Sequence, residues 1–167
     1  MPTDRITLTS LKVSERLSEE TTAYTAVVAL DGKPVLRASN HGTGGPDLYR
    51  RHEGATPELE RELYALAREL LLANPPAYLV QIHGSLDAAR AEVAKQSGEA
   101  ALEHVVGELL DALEEEREIA RLARKHIVLR DDGKLYTFEG AYSPARAAAI
   151  LARYPSAVIL NPEHAPR

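Results

Sequence analysis

The sequence predicts an α+β fold, in which an antiparallel sheet is covered by a layer of two or three helices. Three observations predict it: strand-like alternation at both ends of the chain, helical periodicity in the middle, and two Asp-Gly turns. Strands and helices are segregated rather than alternating, which disfavours a parallel βαβ arrangement. We expect 1–167 to form a single domain, with sub-parts at 1–55 (β meander), 56–125 (helical) and 126–167 (ββαβ).

The N-terminal part is predicted to be a three-stranded meander. Its strands are expected at 5–13, 21–30 and 33–39. A shift of the apolar phase at Thr9 and Ser10 predicts a bulge in the first strand. Asp31-Gly32 predicts a type I′ turn between the other two, because both central residues of that turn need positive φ. Pro34 lacks an N–H and is therefore expected at an edge or a bulge.

The middle of the chain is predicted to be helical. A first helix begins with Thr56 as N-cap and Pro57 at the first position, and ends by Asn74 before two prolines. Further helices are expected at 86–95, capped by Ser85, and at 99–125. The apolar run 78–82 is compatible either with a strand or with the entry to the next helix.

The C-terminal part is predicted to be a β-hairpin followed by a helix and a strand. The hairpin strands, 126–130 and 135–139, flank Asp132-Gly133. Ser143-Pro144 predicts the start of a helix that runs through Arg153, and a last strand is expected at 157–160.

Composition excludes several classes of protein. The absence of cysteine excludes disulfides, thiolate metal sites and a cysteine nucleophile. No apolar run reaches the roughly 18 residues that a membrane span requires, and no secretory signal pattern is visible, so we expect a cytoplasmic protein without a membrane partner. The net charge of −5 and the single Phe disfavour duplex nucleic acid as a partner. A local basic edge at Arg37, Arg50 and Arg51 leaves nucleic-acid binding as a minor alternative.

The segment 40–53 breaks every periodicity, holds three of the ten glycines and is predicted to be a loop. Its glycines would let backbone amides converge on an anion, although neither the Walker pattern nor the dinucleotide-binding fingerprint is present. The same residues also suit a sharp turn at the end of a strand. The candidate ligand-binding residues are Asn40, His41, Gly42, Thr43, Gly44, Gly45, Asp47, Arg50 and Arg51.

Chemistry at this loop is a second hypothesis. His41, Asp47, His52 and Glu53 have side chains that suit zinc or iron, but their spacing matches no recognised ligand pattern. We therefore expect no metal and no cofactor. His41 with Asp47, aided by His83, would suit a hydrolase or a phosphoryl-handling enzyme, and no catalytic residue is assigned.

The chain resembles a group of small uncharacterised bacterial and phage-borne proteins. The likeness is carried by Leu17-Ser18-Glu19-Glu20-Thr21, by the Asp-Gly-Lys turn, by the N-x-G-x-G-G pattern of 40–45, and by the ending Ile159-Leu160-Asn161. The resemblance implies a mobile-element origin and no activity.

Three functions remain open from the sequence. The first is a cytoplasmic binding module whose loop 40–51 recognises a protein or a small anionic ligand. The second is the enzyme described above. The third is a structural or assembly subunit, with the helix 99–125 as the interface of a homo-oligomer.

Overall fold

A computed structural model, which describes residues 5–161, confirms the α+β class. Between Leu109 and Leu110, inside the longest helix, the chain divides into two compact units. The strands are β1 (Ile6–Val13), β2 (Tyr24–Leu30), β3 (Lys33–Asn40), β4 (Leu48–Arg51), β5 (His126–Asp131), β6 (Lys134–Glu139) and β7 (Val158–Ile159). The α-helices are α1 (Pro57–Ala73), α2 (Ala77–His83), α3 (Leu86–Lys95), α4 (Gly98–Ala123) and α5 (Pro144–Leu151).

The sheet of the first unit has four antiparallel strands in the order β1-β2-β3-β4. The prediction of a three-stranded meander followed by a loop over 40–53 was therefore wrong at β4, which pairs with β3. Leu48 and Arg50 are both exposed, so this four-residue strand carries no apolar alternation that a sequence pattern would reveal.

The local backbone signals of the meander are confirmed. Asp31 and Gly32 have φ values of 49° and 76°, as a type I′ turn requires. The pairing of β1 with β2 shifts between Thr9 and Lys12, where Ser10 has a φ of 53°. A second shift in register, between Val28 and Ala29, leaves Val35 as the extra residue of a bulge in β3, directly next to Pro34.

Helices α1 and α3 begin where their caps predict. Thr56 accepts a hydrogen bond from the Leu59 N–H at 3.3 Å, and Ser85 accepts one from the Ala88 N–H at 3.2 Å. The ambiguous run 78–82 lies in α2. Helix α1 contacts both β3 and α3. The fully buried side chains of this unit include Ile6, Val28, Leu36, Leu63, Val93 and Leu102.

The second unit holds a three-stranded antiparallel sheet in the order β6-β5-β7. Asp132 and Gly133 form the hairpin turn with φ values of 46° and 74°, and Ser143 caps α5 through the Arg146 N–H. Helix α5 and strand β7 are shorter than predicted.

Asn161 is the one buried polar residue of the described chain, and its side chain makes three hydrogen bonds to backbone groups of the second unit. Its side-chain oxygen accepts the Val128 N–H at 2.6 Å, and its amide donates to the His126 carbonyl at 2.7 Å and to the Ala123 carbonyl at 3.4 Å. Asn161 thus satisfies the backbone of β5 from the side.

Candidate functional site

The glycine-rich connection between β3 and β4 is held by hydrogen bonds to the segment after β1. The Gly42 carbonyl accepts the backbone N–H groups of 19–21 at 2.9, 2.9 and 3.3 Å. Gly42 has a φ of +85°, and a Cβ built there would lie 2.1 Å from the Leu17 carbonyl oxygen. Only glycine, which has no Cβ, allows the backbone at position 42 to lie this close to the Leu17 carbonyl.

The side chain of Asn40 closes the same connection. Its Oδ1 accepts the Thr21 hydroxyl at 2.9 Å and the Gly42 N–H at 2.8 Å, while its Nδ2 donates to the Gly45 carbonyl at 3.0 Å and to Asp47 Oδ1 at 2.9 Å. The Gly44 N–H donates to the Thr21 hydroxyl at 3.3 Å. The amides of Gly42 and Gly44 that would converge on an anion are therefore used within the chain.

The Asp47 carboxylate accepts hydrogen bonds on the inner side of the sheet. Its Oδ2 accepts the hydroxyl of Tyr24 and, at 3.0 Å, that of Tyr49. Its backbone N–H donates to Glu103 Oε1 at 3.2 Å. Burial, followed by the charge and hydrogen bonds of Asp47, raises the pKa of both tyrosines well above the ordinary value. Both hydroxyls therefore stay protonated and act as donors to the carboxylate.

The structure brings few of the predicted catalytic or metal-binding residues together. No hydrogen bond joins His41 to Asp47, because His41 lies on the outer face of the sheet. His52 Nδ1 lies 2.9 Å from the Glu53 carbonyl oxygen, and His83 ends α2. Within residues 5–161, no group of three or more histidines and carboxylates could hold a metal ion.

Arg50 and Arg51 point to opposite faces of the sheet. Arg51 Nε donates to Glu60 Oε2 of α1 at 2.6 Å, which ties β4 to the helices. Arg50 extends from the outer face. Thr43 and Gly45, the remaining predicted residues, are exposed at the tip of the connection.

The outer face of the four-stranded sheet carries an open groove of about 470 Å³. Successive side chains of a strand point to opposite faces, so alternate residues of four strands meet here. The groove is lined by Ser10, Lys12, Thr25, Ala26, Val27, Arg37, Ala38, Ser39, His41, Leu48 and Arg50. None of them is acidic, which makes this face cationic in a chain of net charge −5.

Two arginines face each other across the strands of this groove. Arg37 of β3 and Arg50 of β4 are directly paired in register, so their Cβ atoms lie about 5 Å apart. Neither of them, nor Lys12, forms an ion pair with any residue of the described chain. The sequence predicted that Arg37 and Arg50 belong to a basic edge. Lys12 was not included in that prediction, because it joins this face only through the pairing of β1 with β2.

A smaller cavity of about 210 Å³ adjoins the groove. It lies between the end of β1, the 3₁₀ turn Glu15–Leu17 and the start of β2. The two cavities share Lys12, Thr25 and His41. The remaining lining residues are Val13, Ser14, Leu17, Ala23, Tyr24 and Asn40.

The residues that carry the resemblance noted above make structural contacts. The stretch 17–21 is hydrogen-bonded to the connection 40–45, and Asn161 satisfies β5. None of the helices in the described part of the chain has both the length and the apolar character needed to cross a bilayer. The sequence matches no protein-family model, and no significant similarity to a curated protein or a solved structure was found.

Proposed function

We propose that the protein is a binding module that takes a small anionic ligand on the outer face of its four-stranded sheet. The observation that carries this proposal is the cross-strand pair of Arg37 and Arg50, which lines the groove without a carboxylate partner in residues 5–161. Of the loop residues suggested by the sequence, His41 and Arg50 contribute to this groove.

The arginine pair costs stability in the absence of a ligand. Like charges directly opposite each other on neighbouring strands are destabilising. A bound oxyanion would replace this repulsion with two attractions, since each guanidinium presents donors in a planar fork that matches phosphate and carboxylate oxygens. Lys12 adds a third positive charge at the other side of the groove.

The size and lining of the groove favour a small molecule over a nucleic acid. Its volume of about 470 Å³ lies within the range of small-molecule sites, about 300–1,000 Å³. Sheets that bind single-stranded nucleic acids stack bases on several aromatic side chains, whereas the lining of this groove holds no Phe, Tyr or Trp and a single histidine, His41.

The other two hypotheses have less support. An enzyme using His41 and Asp47 would need the Asp47 carboxylate, whose oxygens already accept from Asn40, Tyr24 and Tyr49. A role for α4 in assembly stays a prediction.

The cytoplasm of a bacterial or phage-infected cell is the proposed location of the module. A chain without cysteine needs no oxidising compartment for its stability. Cell fractionation with an antibody against the protein tests this location.

Calorimetric titration with inorganic phosphate tests the binding proposal. Arg37→Gln and Arg50→Gln are each expected to weaken binding at least about tenfold, because a charge-assisted hydrogen bond contributes about 1.5 kcal/mol or more. Arg61→Gln is the matched control, since Arg61 lies on the exposed surface of α1 in an ion pair with Glu58. Failure of the unmodified protein to bind, or equal losses in all three variants, would overturn the proposal.

A further inference from the structure

We infer that the ligand is an amphiphilic small anion, with an oxyanion head group at Arg37 and Arg50 and a short apolar part in the adjoining cavity. This inference rests on the proposed function and names the ligand class for the same site. It is carried by the juxtaposition of a cationic groove with an adjoining cavity whose additional lining residues are uncharged.

The two cavities adjoin each other at shared residues. Lys12, Thr25 and His41 line both of them, so a ligand seated on the arginine pair can extend past these side chains without leaving the protein surface. Together the cavities run from β4, at one edge of the sheet, to the end of β1 and the turn that follows it.

The smaller cavity presents mainly apolar surface. Val13, Leu17 and Ala23 are aliphatic, and Leu17 is 53% exposed although it is a large hydrophobic residue. Of the polar residues that line only this cavity, Tyr24 and Asn40 are already engaged in hydrogen bonds. The Tyr24 hydroxyl donates to Asp47, and both polar atoms of the Asn40 amide are hydrogen-bonded within the chain.

The positions of the positively charged side chains define the orientation of the bound ligand. Arg37 and Arg50 lie on β3 and β4, whereas the aliphatic residues of the smaller cavity, Val13, Leu17 and Ala23, lie at the end of β1 and before the start of β2. No acidic residue lines either cavity. The head group therefore belongs at the arginine pair and the apolar part at Leu17, with Lys12 between them.

A series of methyl, ethyl, propyl and butyl phosphates tests the inference. Burial of each methylene contributes about 0.8 kcal/mol, so affinity should rise up to about fourfold per added carbon until the cavity is filled. Alkyl carboxylates of the same lengths form a parallel arm. The same gain per carbon in that arm supports the inference with a carboxylate head.

The ratio of butyl phosphate affinity to inorganic phosphate affinity is the decisive readout. In the Leu17→Gln variant, we expect butyl phosphate to bind no more tightly than inorganic phosphate, so that the ratio falls to one. Leu86→Gln should leave the ratio unchanged, since Leu86 is a comparably exposed leucine on α3. Affinity independent of chain length, in a protein that does bind inorganic phosphate, would overturn the inference and leave the proposed function standing. A ratio unaffected by Leu17→Gln would also overturn it, and loss of all anion binding would overturn both.

Discussion

Replacing Gly42 by alanine should destabilise the first unit more than any other glycine substitution in the β3–β4 connection. The added Cβ would lie 2.1 Å from the Leu17 carbonyl oxygen and 2.9 Å from Ala23 Cβ. Because the first of these atoms belongs to the backbone, the connection itself has to move.

The expected loss can be worked from the contacts. An L-residue at positive φ costs about 1–2 kcal/mol. Movement of the Gly42 carbonyl also weakens three hydrogen bonds to 19–21, each contributing about 0.5–1.5 kcal/mol. The sum is a loss of about 3 kcal/mol or more, which lowers Tm by at least about 6 °C in a chain of this length.

Two alanine controls separate the causes. Gly54 has almost the same φ, +86°, with no atom within 4 Å of the added Cβ, so Gly54→Ala should show the conformational cost alone, about 1 kcal/mol. Gly45→Ala lacks both features and should change stability by no more than about 0.5 kcal/mol. Urea unfolding followed by circular dichroism measures all three variants. A Gly42→Ala protein as stable as Gly54→Ala would contradict a close contact between Gly42 and the Leu17 carbonyl.

Three further predictions concern stability. Asn161→Ala should cost about 2–5 kcal/mol in urea unfolding, because it leaves the buried groups of β5 without partners; a loss below 1 kcal/mol would contradict this role. The raised pKa of Tyr24 and Tyr49 contributes stability that is present below pH of about 10, the ordinary tyrosine value, and is lost as pH rises above it. Tyr49→Phe should therefore flatten the alkaline loss of Tm, and an unchanged slope would contradict the assignment. Arg37→Gln should stabilise the unliganded protein by up to about 1 kcal/mol at low salt, with a smaller effect at high salt; destabilisation at both salt concentrations would argue against the repulsion.

The turns and helix starts could be predicted from the sequence because they are determined by residues that are close together along the chain. Asp31-Gly32 adopts positive φ at both positions, and Thr56 and Ser85 cap the helices that follow them. Each signal depends on residues within four positions of one another, so neighbouring letters of the sequence contain the whole cause.

The candidate site depends on contacts that are distant in sequence. The glycines at 42–45 were predicted to suit a sharp turn, and Gly42 and Gly44 adopt positive φ, but the hydrogen-bond partners of Gly42 lie more than twenty positions earlier. Likewise, Arg37 and Arg50 face each other only because β4 pairs with β3 in one register, and a shift of one residue would bring Arg51 to the outer face instead. No local pattern encodes that register.

The most direct test of anion binding on the four-stranded sheet is a map of backbone amide chemical shifts during titration with butyl phosphate. We predict that the largest changes fall on the outer face of the sheet, at Arg37, Ser39, Leu48 and Arg50, with smaller changes near Leu17. Absence of any change at millimolar ligand, or changes centred on the helices, would contradict it.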